Sequence, residues 1–370
     1  MTERLSRLHE LDSLRALAAI GVVGWHYTNH FGAAPFHTLM LPFYRYGLIL
    51  VDFFFVLSGF VLARTYWTDD RSGRFALNLR DRIARIYPLH LTTLLFVALM
   101  QWVLVHKLRS APFIYQFNDK QDFVLNLLLL NMTGLERGFS FNAPAWSIST
   151  EFVINIIFLL SITLSRTAAK TMLTLLFLIS LGVVLRNGLI AHASFVYIDN
   201  DIFRTALGFT VGIATNRLNE TNGNLLNSKP GVADTMAVAS VISILYYCAK
   251  GQFGMLGNLT MDMLCFPTLI LGVIHGRFIK SLLLLKPLVY MGMISYSIYL
   301  VHFPLQLAVH LVSIATNVEM PYDHSYFLVG FLLTTIALAS FTYRFIELPG
   351  KKLLRKLPVG PRGAPATMKS

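Results

Sequence analysis

Charge is scarce in this chain. Asp, Glu, Lys and Arg make up only 14% of its 370 residues, where a soluble domain carries about 25%. Beside a hydrophobic content of 55%, that shortage excludes an ordinary water-soluble fold. Cysteine is nearly absent. Cys248 and Cys265 lie in different apolar segments without metal-ligand spacing, and both read as packed core thiols. There is no phosphate-cradling Gly-Lys-Ser loop and no dinucleotide fingerprint. No small-residue cleavage site follows the first apolar run, which is expected to stay as an anchor. No internal repeat and no appended soluble domain stand out.

What the chain does have is apolar runs of 18 to 22 residues, repeated along its length. They imply a polytopic membrane protein. The net charge of +12 sits mostly in short loops between these runs. The positive-inside rule explains it without nucleic acid.

The run Leu11 to Phe31 organises the rest. It is long enough to cross a bilayer, yet holds Arg15 and His26. An ionisable group inside a membrane helix is a functional-site hypothesis by default. Their separation of 11 residues puts both on nearly one face, about 16 Å apart along the axis.

Arg4 and Arg7 precede this run and place the N-terminus in the cytoplasm. A second crossing, Gly47 to Tyr66, returns to a loop rich in arginine. A third begins near Pro88, suited to a first helical turn, and ends near His106. Asp122 to Met132 is apolar but too short to span, so it is expected to be re-entrant or interfacial. Further crossings are expected at Trp146–Leu164, Met172–Ile190, Ile202–Asn216, Val232–Ala249, Leu256–His275, Pro287–Ser313 and Phe327–Ile346. The result is an all-α integral membrane bundle of about ten transmembrane helices over residues 1–350, both termini cytoplasmic. Residues 351–370 form a basic tail, its last dozen residues without an apolar face and expected to be disordered.

Depth sorts the polar residues into two layers. Arg15, Arg82, Arg85 and Glu347 lie near the cytoplasmic side. Asp52, Glu151, His26 and His302 lie towards the outer half. Arg82 and Arg85 share a helix face at i and i+3. Two guanidiniums there suit a phosphate-rich ligand or simply snorkel to lipid headgroups. Glu347 is their natural ionic partner. His26 either donates to a neighbouring helix or is a base whose tautomer Glu151 or Asp52 sets. His26 and His30, at i and i+4, lack a third metal ligand, so no metal is expected. His302 shares a face with Ser295 and Tyr299 and is structural or substrate-binding. Pro304 frees a backbone carbonyl about one turn earlier. Ser58-Gly59 lacks the strand–elbow context of a nucleophile and reads as a close-packing site.

Six stretches together resemble the acyltransferase family 3 membrane proteins, the multi-pass O-acetylases of bacterial surface polysaccharides, glycolipids and antibiotics. They are Arg15 with ten residues before His26, VDFFFVLSGF, Arg82-x-x-Arg85 before Ile-Tyr-Pro, Trp146-Ser-Ile-Ser-x-Glu151, Ser295-Tyr-Ser-Ile-Tyr-Leu-Val-His302 and Arg344-Phe-Ile-Glu347. Leu348 stands where many members have a basic residue, and no hydrolase-like extracytoplasmic domain is seen, so the stand-alone form is expected.

The resemblance implies acetyl-CoA or another acyl-CoA as donor, approached from the cytoplasm. It implies His26 as catalytic, and Arg15, Arg82 and Arg85 as donor-binding. Glu151 or Asp52 is expected to assist His26, with Tyr299 and Trp146 beside His302 at the acceptor. The expected activity is transfer of an acyl group to a hydroxyl of a surface polysaccharide or lipid-linked sugar, in the bacterial inner membrane. His26 either deprotonates that hydroxyl or carries the acyl group itself. Two alternatives stand: a proton-coupled flippase of a lipid-linked sugar, weakened by the lack of an inverted repeat, and an acylase of a small metabolite such as a macrolide.

Overall fold

A computed structural model describes residues 7–68, 71–191, 193–251 and 254–358. Among the described residues it is helical apart from loops and one two-residue hairpin, β1 (Ser194–Phe195) paired antiparallel with β2 (Ile198–Asp199). The helices are α1 (His9–Phe31), α2 (His37–Tyr46), α3 (Leu50–Tyr66), α4 (Phe75–Trp102), α5 (Lys120–Leu127), α6 (Trp146–Ser161), α7 (Arg166–Asn187), α8 (Asn200–Ser228), α9 (Pro230–Lys250), α10 (Gly254–Thr260), α11 (Phe266–His275), α12 (Phe278–Leu283), α13 (Lys286–Met293), α14 (Ser295–Thr316), α15 (Ser325–Thr342) and α16 (Leu348–Arg355).

Eight helical runs among the described residues are long and apolar enough to cross a membrane. Two expected crossings, α1 and α8, are not among them. Both are long enough, but polar groups dilute their apolar character. Asp12, Ser13, Arg15 and His26 lie on α1, and Asn200, Asp201 and Arg204 open α8. Their place in the bundle explains how this is tolerated. Every residue of α8 from Asn200 to Ile213 is buried, so protein rather than lipid surrounds its polar groups. The outer helices α7 and α9 leave most of their surface exposed.

Several boundaries differ from the sequence expectation. The second crossing is a continuous helical run from His37. α4 starts at Phe75 and carries Pro88 in its interior, so Pro88 does not open a helix. One turn on, the Thr92 hydroxyl donates back to Pro88 O at 2.9 Å. The expected crossing Pro287–Ser313 is two helices, parted at Ile294. The short segment after Asp122 holds only the eight-residue α5, capped by Asp119, which accepts from the Asp122 N–H at 3.1 Å. The basic tail begins as helix α16; residues 359–370 lie outside the described residues.

Glycines set the closest packing. α3 and α8 meet backbone to backbone. A Cβ on Gly59 would lie 1.9 Å from Phe209 O, and one on Gly212 would lie 1.9 Å from Val56 O. No side chain fits either gap, which is the small-residue approach expected of Ser58-Gly59. Gly292 likewise brings α13 against the backbone of Asp12 on α1.

Candidate active site

α1 is the spine of the site. Near its N-terminal end Asp12 accepts from Arg7 Nε and from Arg15 Nη1, both at 2.6 Å. The i, i+3 spacing of Asp12 and Arg15 makes the second contact local. Arg15 and Arg7 face a cavity of about 420 Å3, which α3, α4, α6 and α14 complete. Arg64, Arg82 and Arg85 also line it. Five arginines thus meet two carboxylates, Asp12 and Glu151.

Arg82 Nη2 donates to Glu151 Oε1 at 2.9 Å, and Ser58 Oγ donates to the same oxygen at 2.7 Å. Arg82 Nε is buried with no partner, and Arg85 has no hydrogen bond or ion pair among the described residues. The Arg85 donors are what a phosphate would satisfy, since guanidiniums bind its oxygens in fixed geometry.

The cavity ends at Phe54, Ser147 and Tyr299. The Tyr299 hydroxyl lies 2.8 Å from Ser147 Oγ and donates to Pro144 O at 2.8 Å. Behind it stands His302, its ring centred 5.8 Å from that of Tyr299. His302 Nε2 is 3.2 Å from His26 Nδ1. His26 Nδ1 also lies 3.1 Å from Val22 O. A carbonyl only accepts, so Nδ1 carries the proton and its neighbour His302 Nε2 accepts. The lone pair of His26 is then on Nε2, which no group among the described residues engages. Pro304 does release a carbonyl one turn earlier: Leu300 O accepts from Asn142 Nδ2 at 3.1 Å.

The partner expected for His26 is therefore corrected. Glu151 lies in the arginine layer and holds Arg82. Asp52 is taken by Arg204, whose Nε and Nη2 donate to its two oxygens at 2.7 and 2.6 Å. Both acids are drawn to cations, where their charge is compensated. Histidine, not carboxylate, touches His26. Glu347 is corrected too. It accepts from Ser297 Oγ at 3.0 Å and forms no ion pair with Arg82 or Arg85 among the described residues. Trp146 is buried between Phe55 and Arg204, whose guanidinium lies 5.3 Å from its ring centre. It does not line the arginine cavity.

Sequence reasoning passed over Arg204 and Asp201, which meet at 3.4 Å beside Asp52. The spacing Asp201-x-x-Arg204 at the start of an apolar run was the available signal. Arg7, Asp12 and Arg64 were legible only as loop and flank charges.

The family model described as an acyltransferase domain matches residues 8–344. Among curated relatives, the acyltransferase MdmB of Streptomyces mycarofaciens is 33% identical over 162 residues, 43% of this chain and 40% of the relative. The peptidoglycan O-acetyltransferase OatA of Listeria monocytogenes is 24% identical over 380 residues, 95% of this chain and 57% of the relative. The O-acetyltransferase OatA of Staphylococcus aureus is 24% identical over 373 residues, 92% and 57%. The chain spans about half the length of these relatives. No solved structure matches it. A match over nearly the whole chain, on a helical bundle that gathers Arg15, Arg82 and Arg85 round one cavity and sets His26 against His302, makes this chain a member of the acyltransferase family 3 proteins.

Proposed function

We propose that the protein is a membrane O-acyltransferase. It moves an acyl group, acetyl first, from cytoplasmic acyl-CoA to a hydroxyl of a surface polysaccharide or lipid-linked sugar. Ten crossings with both termini cytoplasmic put the arginine cavity on the inner side of the bacterial inner membrane. Phosphates of the donor take Arg85, with Arg15, Arg64 and Arg82 adding field. The pantetheine arm extends towards Tyr299, and its thioester meets His26 past that wall.

The acceptor hydroxyl gives its proton to His26 Nε2 while its oxygen bonds to the thioester carbonyl carbon. The C–S bond then breaks, and the leaving thiolate takes the proton back from the imidazolium. His302 and Val22 O hold the ring in the tautomer this requires. The observation that carries the reading is the single line of contacts from a cavity rich in arginine, through Tyr299, to a histidine with a free Nε2.

Radiolabelled acetyl-CoA tests it on purified protein and on membranes. Arg85→Ala is expected to weaken acetyl-CoA binding about tenfold or more, the scale of a charge-assisted contact. His26→Ala is expected to bind the donor normally and transfer nothing. Full transfer by His26→Ala, or undiminished binding by Arg85→Ala, overturns the reading.

A further inference from the structure

A second pocket, of about 590 Å3, lies past the C-terminal end of α1. Its volume falls in the usual range for small-ligand sites, about 300–1,000 Å3. Two loops build it. One runs from residue 108 to 142 around α5, the other is the β1–β2 hairpin. Gly134 clamps them together: at φ +104° its Cα sits so close to Tyr197 O that a Cβ would lie 2.0 Å away. Ile114 and Met132, also on the wall, hold φ near +59° and +58°. Non-glycine residues persist there only when the surroundings enforce it.

The pocket's charges are already engaged from within: Asp199, on its wall, accepts from the Asp201 N–H at 2.8 Å. Glu136 accepts from the N–H groups of Thr133, Gly134 and Leu135 at 3.0 to 3.2 Å. Arg137 pairs with Asp119, and with Asp122 at 2.9 Å. The rest of the lining offers the rings of Tyr115, Phe117 and Phe139, the side-chain amide of Gln116 and the Ser194 hydroxyl. That lining matches a neutral, polyhydroxylated ring, which offers C–H faces to aromatics and hydroxyls to amides. It does not match an ion.

The pocket also connects with the histidines. Tyr115 lines it, and the Tyr115 hydroxyl lies 3.1 Å from His30 Nε2. His30 Nδ1 is held by Gln306 Oε1 at 2.9 Å. The His30 ring is centred 5.0 Å from that of His26. Along α1 the order is Arg15, His26, His30, so the two cavities approach the histidine pair from opposite ends.

We infer that this pocket is the acceptor site, which seats a sugar ring and passes one hydroxyl by Tyr115 and His30 to His26. The inference rests on the proposed function, and assigns the place and class of its second substrate.

The test uses a thiol at the rim. Ser194, in β1, is exposed and borders the pocket. Cys248 and Cys265 are buried, so within this chain a polar maleimide reaches Ser194→Cys alone, and equally labelled membranes carrying the parent chain serve as the reference. The variant is made in the full chain and assayed in open fragments of the native membrane with radiolabelled acetyl-CoA. Attaching a polyethylene-glycol maleimide is expected to cut acetyl incorporation into membrane glycan about tenfold or more, because a filled pocket loses its ligand contacts. Acetyl-CoA binding stays as in the unlabelled variant. Incorporation that survives labelling overturns the inference. So does loss of donor binding in protein that keeps its melting temperature, since the pocket would then belong to the donor. Should the label unfold the hairpin, Gln116→Cys on the facing loop gives the same readings. Unlabelled membranes that incorporate no acetyl refute the proposed function itself, and this inference with it.

Discussion

Asp52 and Arg204 form a two-pronged ion pair across α3 and α8, with side-chain exposures of 0% and 2%. Asp201 adds a third contact to Arg204 at 3.4 Å. Such a pair is costly to break, because one partner leaves an uncompensated buried charge worth about 3–5 kcal/mol. Asp52→Asn is expected to cost stability on that scale, read as a lower melting temperature in detergent, and to leave acetyl-CoA affinity of the folded fraction unchanged. A variant that melts normally but transfers slowly would return Asp52 to the chemistry.

Glu151 holds Arg82 rather than His26, and kinetics distinguishes the two roles. Glu151→Gln removes the charge that fixes the guanidinium. Donor Kd is expected to weaken about five- to tenfold, in keeping with a charge-assisted bond at a partly exposed site. The rate at saturating donor and its pH profile stay in place. A shifted pH profile with unchanged Kd would tie Glu151 to the imidazole instead.

His302 is expected to act through His26. His302→Ala frees the His26 ring, and a misplacement of about 1 Å costs roughly a hundredfold in rate. The KM for acetyl-CoA is expected to hold. His302→Gln, whose amide oxygen can accept from His26 Nδ1, recovers part of the loss. Equal rates for the two variants would remove the positioning role.

Two glycines give a paired stability test. Gly59→Ala forces a Cβ into Phe209 O and is expected to cost about 1–3 kcal/mol or more, as overpacking does. Gly182→Ala, in α7, meets nothing within 4 Å and is expected to be neutral or stabilising by up to about 1 kcal/mol. Thermal unfolding in one detergent reads both. Equal melting temperatures would mean that α3 and α8 are not seated backbone on backbone.

Apolar run length showed where most helices lie, because lipid leaves few other solutions. The same logic misjudged helices that protein shields. α8 reads as a short crossing, yet it runs from Asn200 to Ser228. Depth along each helix placed Arg15, Arg82 and Arg85 together and His26 beside the His302 layer. Partners were harder. Glu151 was set too far out, for it lies in the arginine layer; Asp52 and His26 sat at compatible heights, and the rotation of each helix decides whether they touch. That rotation comes from packing, such as the Gly59–Gly212 contact, which one strand of sequence cannot display. The pocket around Tyr115 was illegible for a further reason: it is built from loops, where no periodicity reports direction.

The Gly59–Gly212 contact has a mechanical meaning. Where two main chains touch, neither rod can slide without its carbonyl striking its neighbour, so α3 and α8 behave as one beam. A carrier that rocks its halves past each other needs interfaces that give. The α3–α8 pair is a stiff seam instead, and under the proposed function the acyl group would pass a fixed imidazole rather than ride a moving wall.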